Sequence, residues 1–320
     1  MQPLLDIRNL SVRFGAAPAV DGVSFTVAEG ETLALVGESG CGKTLTALSV
    51  LRLTPPAAVV EAESIALHRR ELTRLSEREM RQVRGKEVGV VFQDPLTALN
   101  PVWPVGEQVA EGLRLHEGLG RRAAWERTVE ALREVGIADP RRRASEYPHQ
   151  LSGGMRQRAM IAAALACRPP LLIADEPTTA LDVTLQAQII DLLLRLREER
   201  RLSILLITHD LGVVAELAHR VAVLYAGQVV ESAGVAALFR RPLHPYTRAL
   251  LSAVPRVDGQ AGRRLATIEG AVPDPTRYPS GCRFAPRCPH ALEPCREPQE
   301  LREWEAGHWV RCGRAGEWTT

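Results

Sequence analysis

The residues Gly37-Glu38-Ser39-Gly40-Cys41-Gly42-Lys43-Thr44 have the spacing G-x-x-x-x-G-K-[ST]. Glycines at these intervals let the chain curl so that successive backbone N–H groups face one anion. Helical spacing of apolar residues follows from Thr44 to Leu53, and a helix N-terminus there aims its positive end at the same point. Lys43 then reaches the β- and γ-phosphates of a nucleoside triphosphate, and the Thr44 hydroxyl ligates Mg2+. Gly37, Ser39, Gly40, Cys41 and Gly42 supply the cradle. A chance Gly-rich turn is the rival reading. The apolar run Thr32–Val36 argues against it by setting a strand–loop–helix order.

A second group is Leu171-Leu172-Ile173-Ala174-Asp175-Glu176, an apolar strand ending in two carboxylates. Asp175 can hold Mg2+ through water, and Glu176 can orient or polarise an attacking water. Alone, two acids after such a strand also suit a helix cap or a loop. Beside the phosphate loop they complete the parts for phosphoryl transfer.

Between these groups lies Leu151-Ser152-Gly153-Gly154-Met155-Arg156-Gln157-Arg158. The three elements in this order resemble the nucleotide-binding subunits of ABC transporters, whose distinguishing mark is the LSGG element. Ser152 and the N–H groups of Gly153 and Gly154 form a Gly-rich helix start, again suited to a phosphate. The resemblance implies that this phosphate belongs to ATP on a second subunit, so that two chains clamp two nucleotides head to tail. It also implies that Gln93, after Val91-Phe92, senses Mg2+ and the permease, and that Asp182, after Ala180-Leu181, belongs to a loop crossing the dimer interface. His209 falls where a histidine contacts the γ-phosphate, and Phe14 where an aromatic stacks on adenine. Singly, each has a plainer reading: Gln93 a polar loop group, His209 a helix cap, Phe14 part of the core. The resemblance runs over residues 4–250 and implies ATP, Mg2+ and true hydrolysis.

Arg241-Pro242-Leu243-His244-Pro245-Tyr246-Thr247-Arg248, followed by a Pro- and Cys-rich end, is similar to the C-terminal extension of the oligopeptide/dipeptide and nickel importer ATPases. Asp94-Pro95-Leu96-Thr97-Ala98-Leu99-Asn100-Pro101 is similar to the same subfamily, closest to its D-type subunit. The turn at His244–Thr247 also reads as structural, packing Tyr246 on the core. Departures occur at residues 59–72, where the subfamily's glycines are missing.

Cys282, Cys288, Cys295 and Cys312 lie in this end at spacings C-x5-C-x6-C-x16-C. Without a secretory signal, four thiols among prolines argue for a metal clamp over disulfides. Zinc ribbons prefer closer Cys pairs. Four thiolates on irregular loops suit a [4Fe–4S] cluster, and the family resemblance points the same way. The order of preference is the cluster, then zinc, then free thiols. Cys167 reads as a small buried residue. Cys41, at a helix N-terminus, is expected to have a lowered pKa and to be open to alkylation.

These residues need a scaffold. Alternation through Leu5, Ile7, Leu10, Val12 and Phe14, and through Val23, Phe25 and Val27, predicts an antiparallel β opening. Strands at Thr32–Val36, Val88–Phe92, Leu171–Ala174, Ser203–Thr208 and Val221–Leu224 alternate with helices, which predicts an α/β fold with a parallel sheet. That is the P-loop NTPase class with a RecA-like core, an antiparallel β subdomain, a helical insert at residues 100–165 and a Pro/Cys-rich extension. Residues 1–250 then form the nucleotide-binding domain and 251–320 the extension. The pattern is helical from Val105 to Gly136, and Asp210 is placed to cap a helix. The eight prolines after Ala253 leave little core, so the extension needs something to clamp it.

The chain has 320 residues, with Lys+Arg 40 against Asp+Glu 38. A net charge of +2 counts against a global polyanion binder and so against a nucleic-acid partner, while leaving room for a local phosphate site. Arg141–Arg143, Arg240-Arg241 and Arg263-Arg264 read as solvated faces. No apolar run approaches the roughly 18 residues of a spanning helix, so direct membrane insertion is not expected. The reading is a peripheral ATPase on the cytoplasmic face of the inner or plasma membrane, powering uptake of di- or oligopeptides. The resemblance implies a second, non-identical ATPase subunit, two transmembrane permease subunits and an extracytoplasmic solute-binding protein. Alternatives are the same role for nickel or another small solute, a soluble ABC-type ATPase of DNA repair or translation, and a non-hydrolysing scaffold. The intact Lys43, Asp175, Glu176 and His209 oppose the last.

Overall fold

The computed structural model describes residues 3–179, 181–253 and 268–317. They form two compact units of separated stretches. The first takes Met1–Leu4, Val27–Thr32 and Arg74–Ile207, the second Leu5–Thr26, Leu33–Thr73 and Thr208–Thr320. The expected mixed α/β fold is what the chain adopts. Arg263 and Arg264 fall outside the described residues, as does Ala180.

In the first unit, strands Val88–Val91, Leu171–Asp175 and Ser203–Thr208 run parallel, with Val88 opposite Leu171 and Leu171 opposite Ser203. The last two are buried along their whole length. This is why they read as continuous apolar runs and not as alternating ones. Helix Val183–Arg200 joins them, starting at Asp182, whose carboxylate accepts from the Leu185 N–H at 2.9 Å. The helical insert comprises Val105–Glu117, Arg121–Glu134, Pro140–Ala144 and Gly153–Leu165. The helical pattern expected from Val105 to Gly136 is resolved as two helices. Gly118, at φ 66°, ends the first and Gly120 caps the second. Period alone cannot register such a break, because both helices keep their apolar faces inward. Arg141 pairs with Glu126, and Arg142 and Arg143 with Glu146.

In the second unit, the β opening is borne out. Pro3–Phe14 pairs antiparallel with Val59–Glu61 and Ser64–Leu67, and Ala17–Ala28 lies beside it. Thr32–Val36 runs parallel to Arg220–Tyr225, which turns back antiparallel into Gln228–Gly234. Asp210 caps helix Leu211–Leu217 as expected, accepting from the Gly212 and Val213 N–H groups.

The C-terminal segment is held by strand addition, aromatic packing and ion pairs. A hairpin of Arg302–Glu305 and His308–Val310 adds to the edge of Gln228–Gly234, placing Val310 opposite Glu231. Phe284 is buried against Tyr225, near-perpendicular at 5.2 Å, and against Tyr246 at 5.4 Å. Arg283 pairs with Asp21. The buried Glu231 carboxylate accepts from the Leu243 and His244 N–H groups and meets His308 Nε2 at 2.7 Å.

Among the described residues, no group of three or more His, Cys, Asp or Glu side chains is arranged to hold a metal ion. Cys282, Cys288, Cys295 and Cys312 are near enough to feel one another's charge, yet burial, the largest influence, pushes the Cys282, Cys288 and Cys312 thiols up, Cys312 to about 12. With no such arrangement of these thiols among the described residues, the expected metal clamp, [4Fe–4S] cluster or zinc, is not supported. No helix among the described residues is long and apolar enough to cross a membrane.

Candidate nucleotide site

The phosphate loop follows the buried strand Thr32–Val36 and ends in helix Lys43–Val50. Two of its glycines are required by close approach. A Cβ on Gly37 would stand 2.2 Å from the Leu224 carbonyl oxygen, and one on Gly42, at φ 101°, 2.6 Å from that of Ala19. The loop is thus pressed onto its own unit with only backbone facing outward at these points. Gly42 caps the helix without a side-chain hydrogen bond, and the first turn holds no acid. The N-terminus therefore keeps its affinity for an anion. Lys43 is buried and donates to the Gly37 and Glu38 carbonyl oxygens at 2.8 and 3.0 Å. Thr44 is exposed at the helix start.

Cys41 departs from the expectation. It is fully buried, and burial pushes its thiol up although the Lys43 charge pulls the other way. Loss of water around the sulfur outweighs both the helix N-terminus and the nearby Lys43 cation. Here the Sγ lies under the loop, within 2.8 Å of where a Gly37 Cβ would be. Cys167 is half-buried, and burial raises its thiol to about 11. Phe14 ends its strand half-buried, and His209 is exposed one residue before the Asp210 cap.

In the first unit, the strand ends at the buried Asp175. Glu176 follows at φ 47°, a left-handed conformation that costs a non-glycine residue on the order of 1–3 kcal/mol. Its N–H donates to the Ile207 carbonyl at 2.8 Å. Its Oε2 accepts from Gln93 Nε2 and from Thr179 Oγ1, each at 2.9 Å. The structure thus brings Gln93 and Glu176 together across 83 positions of sequence. Thr179 was not anticipated, although a hydroxyl three residues beyond an acid is a readable local signal. Ser152 caps helix Gly153–Leu165, accepting from the Met155 N–H, and a Cβ on the buried Gly154 would stand 2.9 Å from the Leu185 side chain. Asp182 is exposed at its own cap.

The Thr44 hydroxyl, the Gln93 side-chain carbonyl and the Asp175 carboxylate are all hard oxygen donors, which is the chemistry Mg2+ takes. The phosphate loop, Phe14 and His209 belong to one unit. Gln93, Ser152, Gly153, Gly154, Asp175, Glu176 and Asp182 belong to the other.

Sequence reasoning missed Glu38 and its partners. The Glu38 N–H donates to the Tyr246 hydroxyl at 2.9 Å, and Arg287 grips its carboxylate. Tyr246 is fully buried, as its packing role requires, and its hydroxyl also holds the loop backbone. Arg287 lies 249 positions from Glu38 and carries no local signal.

A family model described as ABC transporter matches residues 20–179, and one described as oligopeptide/dipeptide transporter, C-terminal region, matches residues 230–295. The chain is 52% identical to a probable peptide ABC transporter ATP-binding protein of Sinorhizobium fredii, over 98% of this chain and 96% of that one. It is 50% identical to the oligopeptide transport ATP-binding protein AppD of Bacillus subtilis, over 98% and 97%. Among solved structures, the ATP-binding cassette MJ0796 as a post-hydrolysis dimer bound to ADP and Pi matches with TM-score 0.64 and 29% identity, covering 72% of this chain and 98% of that one. With the phosphate loop, the held carboxylate and the LSGG helix in place, the chain belongs to the ABC transporter ATPases, in the group that carries the oligopeptide/dipeptide transporter C-terminal region.

Proposed function

We propose that the chain is the ATP-hydrolysing subunit of an importer that moves di- or oligopeptides through a membrane permease. The observation that carries the hydrolytic part is the Glu176 carboxylate, held at the end of the Asp175 strand by Gln93 and Thr179. The relatives named as peptide transport ATP-binding proteins support the substrate class. In this reading the N–H groups of Gly37, Ser39, Gly40, Cys41 and Gly42 cradle phosphate, with Lys43 on its outer oxygens. Thr44, Gln93 and Asp175 serve Mg2+, which neutralises charge on the phosphates when bound. Glu176 orients the attacking water and His209 meets the γ-phosphate. Phe14 stacks on the base. Ser152, Gly153, Gly154 and Asp182 serve the nucleotide of a second ATPase subunit. Two permease subunits and an extracytoplasmic binding protein complete the assembly, with this chain on the cytoplasmic face of the membrane.

Reconstitution of the chain with its partner ATPase, permease and binding protein tests this. The expected result is ATP turnover stimulated by peptide-loaded binding protein and lost in Lys43→Ala. Stimulation by a nickel complex with no response to peptides overturns the substrate class, and turnover that survives Lys43→Ala overturns the site.

A further inference from the structure

Glu38 sets an electrostatic problem that the catalytic reading leaves open. It places a carboxylate inside a loop whose backbone N–H groups face an anion, and like charges at such range repel. The structure meets this from the far end of the chain. Arg287 Nη1 and Nη2 reach the two Glu38 oxygens at 2.7 and 3.0 Å, the two-pronged geometry that makes guanidinium–carboxylate pairs strong. The Arg287 side chain is only 4% exposed against 28% for Glu38. Its other donors are satisfied by the Glu269 and Ile268 carbonyls at 2.9 and 3.2 Å and by the Tyr225 hydroxyl at 3.4 Å. The main chain of Glu38 is held as well, its N–H by Tyr246 and its carbonyl by Lys43. A guanidinium this buried needs a counter-charge, and Glu38 is the carboxylate it meets.

We propose that Arg287 is a positioning residue for nucleotide binding: it neutralises Glu38 and ties the phosphate loop to the C-terminal segment. The loop's affinity for a triphosphate then depends on a residue outside the ATPase core. The inference rests on the reading that the loop takes ATP. It assigns Glu38 no contact with substrate.

Charge neutralisation predicts effects of opposite sign, which a purely structural clamp does not. Arg287→Gln leaves the carboxylate unpaired beside the phosphates and weakens ATP binding by about tenfold. Glu38→Gln leaves the cation in place, so affinity holds or tightens. The double variant returns to within about threefold of the wild type, because neither charge remains. The measurement is the Kd for Mg-ATP by calorimetry on the purified full chain, with Lys43→Ala as a separate arm. If Arg287→Gln does not fold, Arg287→Lys and Glu38→Gln carry the test: the first stays within about threefold and the second does not weaken binding. Weakening in both Glu38→Gln and the Arg287 variant overturns the proposal, as does an Arg287→Gln protein that binds like the wild type. Wild-type binding by Lys43→Ala instead defeats the underlying reading of the loop.

Discussion

The buried Gln157 side chain donates to the Pro177 carbonyl oxygen at 2.6 Å. It joins the helix opened by Ser152 to the residue directly after Glu176. Replacing Gln157 by Leu keeps the volume and strands a buried carbonyl, which costs about 1–3 kcal/mol. The expected result is a lower urea midpoint with an unchanged slope, together with reduced ATP turnover, because the backbone that aims Glu176 loses its anchor.

Glu176→Gln is expected to bind ATP normally and to hydrolyse it about 100- to 10,000-fold more slowly, the range for loss of a general base. The amide fills the same space between Gln93 and Thr179 but cannot take a proton. Single-turnover hydrolysis alongside nucleotide binding checks this. A nucleotide-trapped dimer should accumulate, and near-normal turnover would remove Glu176 from its role.

Phe284 seals the C-terminal segment with its ring against Tyr225, Tyr246 and His244. Phe284→Ala opens a cavity at a cost of about 3–5 kcal/mol. The segment should become sensitive to limited proteolysis before the rest of the chain, which mass spectrometry of the first fragments will show.

His244 is buried, and its Nδ1 accepts from the Tyr246 N–H at 3.1 Å. Burial is the main cause that lowers its pKa to about 4 from an ordinary 6.5, with Arg311 assisting and Glu231 opposing. The unfolded chain therefore binds the proton first as pH falls. The stabilisation is full above 6.5 and is lost progressively on acidification toward 4, amounting to about 3 kcal/mol. Thermal melts should decline through that window, and less steeply in His244→Asn, which keeps a capping acceptor without titrating.

Cys41 should resist alkylation in the folded chain. Its thiol is buried and raised, so neither access nor thiolate is available at neutral pH. Peptide mapping after iodoacetamide, with and without denaturant, will show Cys41 modified only when unfolded.

Much of the site was legible because each piece is local. The phosphate loop, the strand ending at Asp175, the LSGG helix start and the Asp210 cap are defined by residues within a few positions of one another, and backbone geometry acts at that range. The same locality explains the misreadings. A helical period looks alike on either side of Gly118, so the pattern reads as helical without showing where one helix ends and the next begins. Four cysteines on a proline-rich segment look like ligands until their placement is known. Cys41 looks reactive until its thiol is seen to be buried beneath the loop at Gly37.

The amino-acid sequence by itself determined the chemistry of this protein, because glycine spacing and apolar periodicity specify loops, strands and helix ends without reference to distant residues. Tertiary structure decided what surrounds that chemistry. Arg287 on Glu38, Tyr246 on the loop backbone and Gln93 on Glu176 join positions far apart in the chain. Burial of thiols, pairing of charges and the clamping of the C-terminal segment are properties of a packed interior, and no short stretch of sequence carries them.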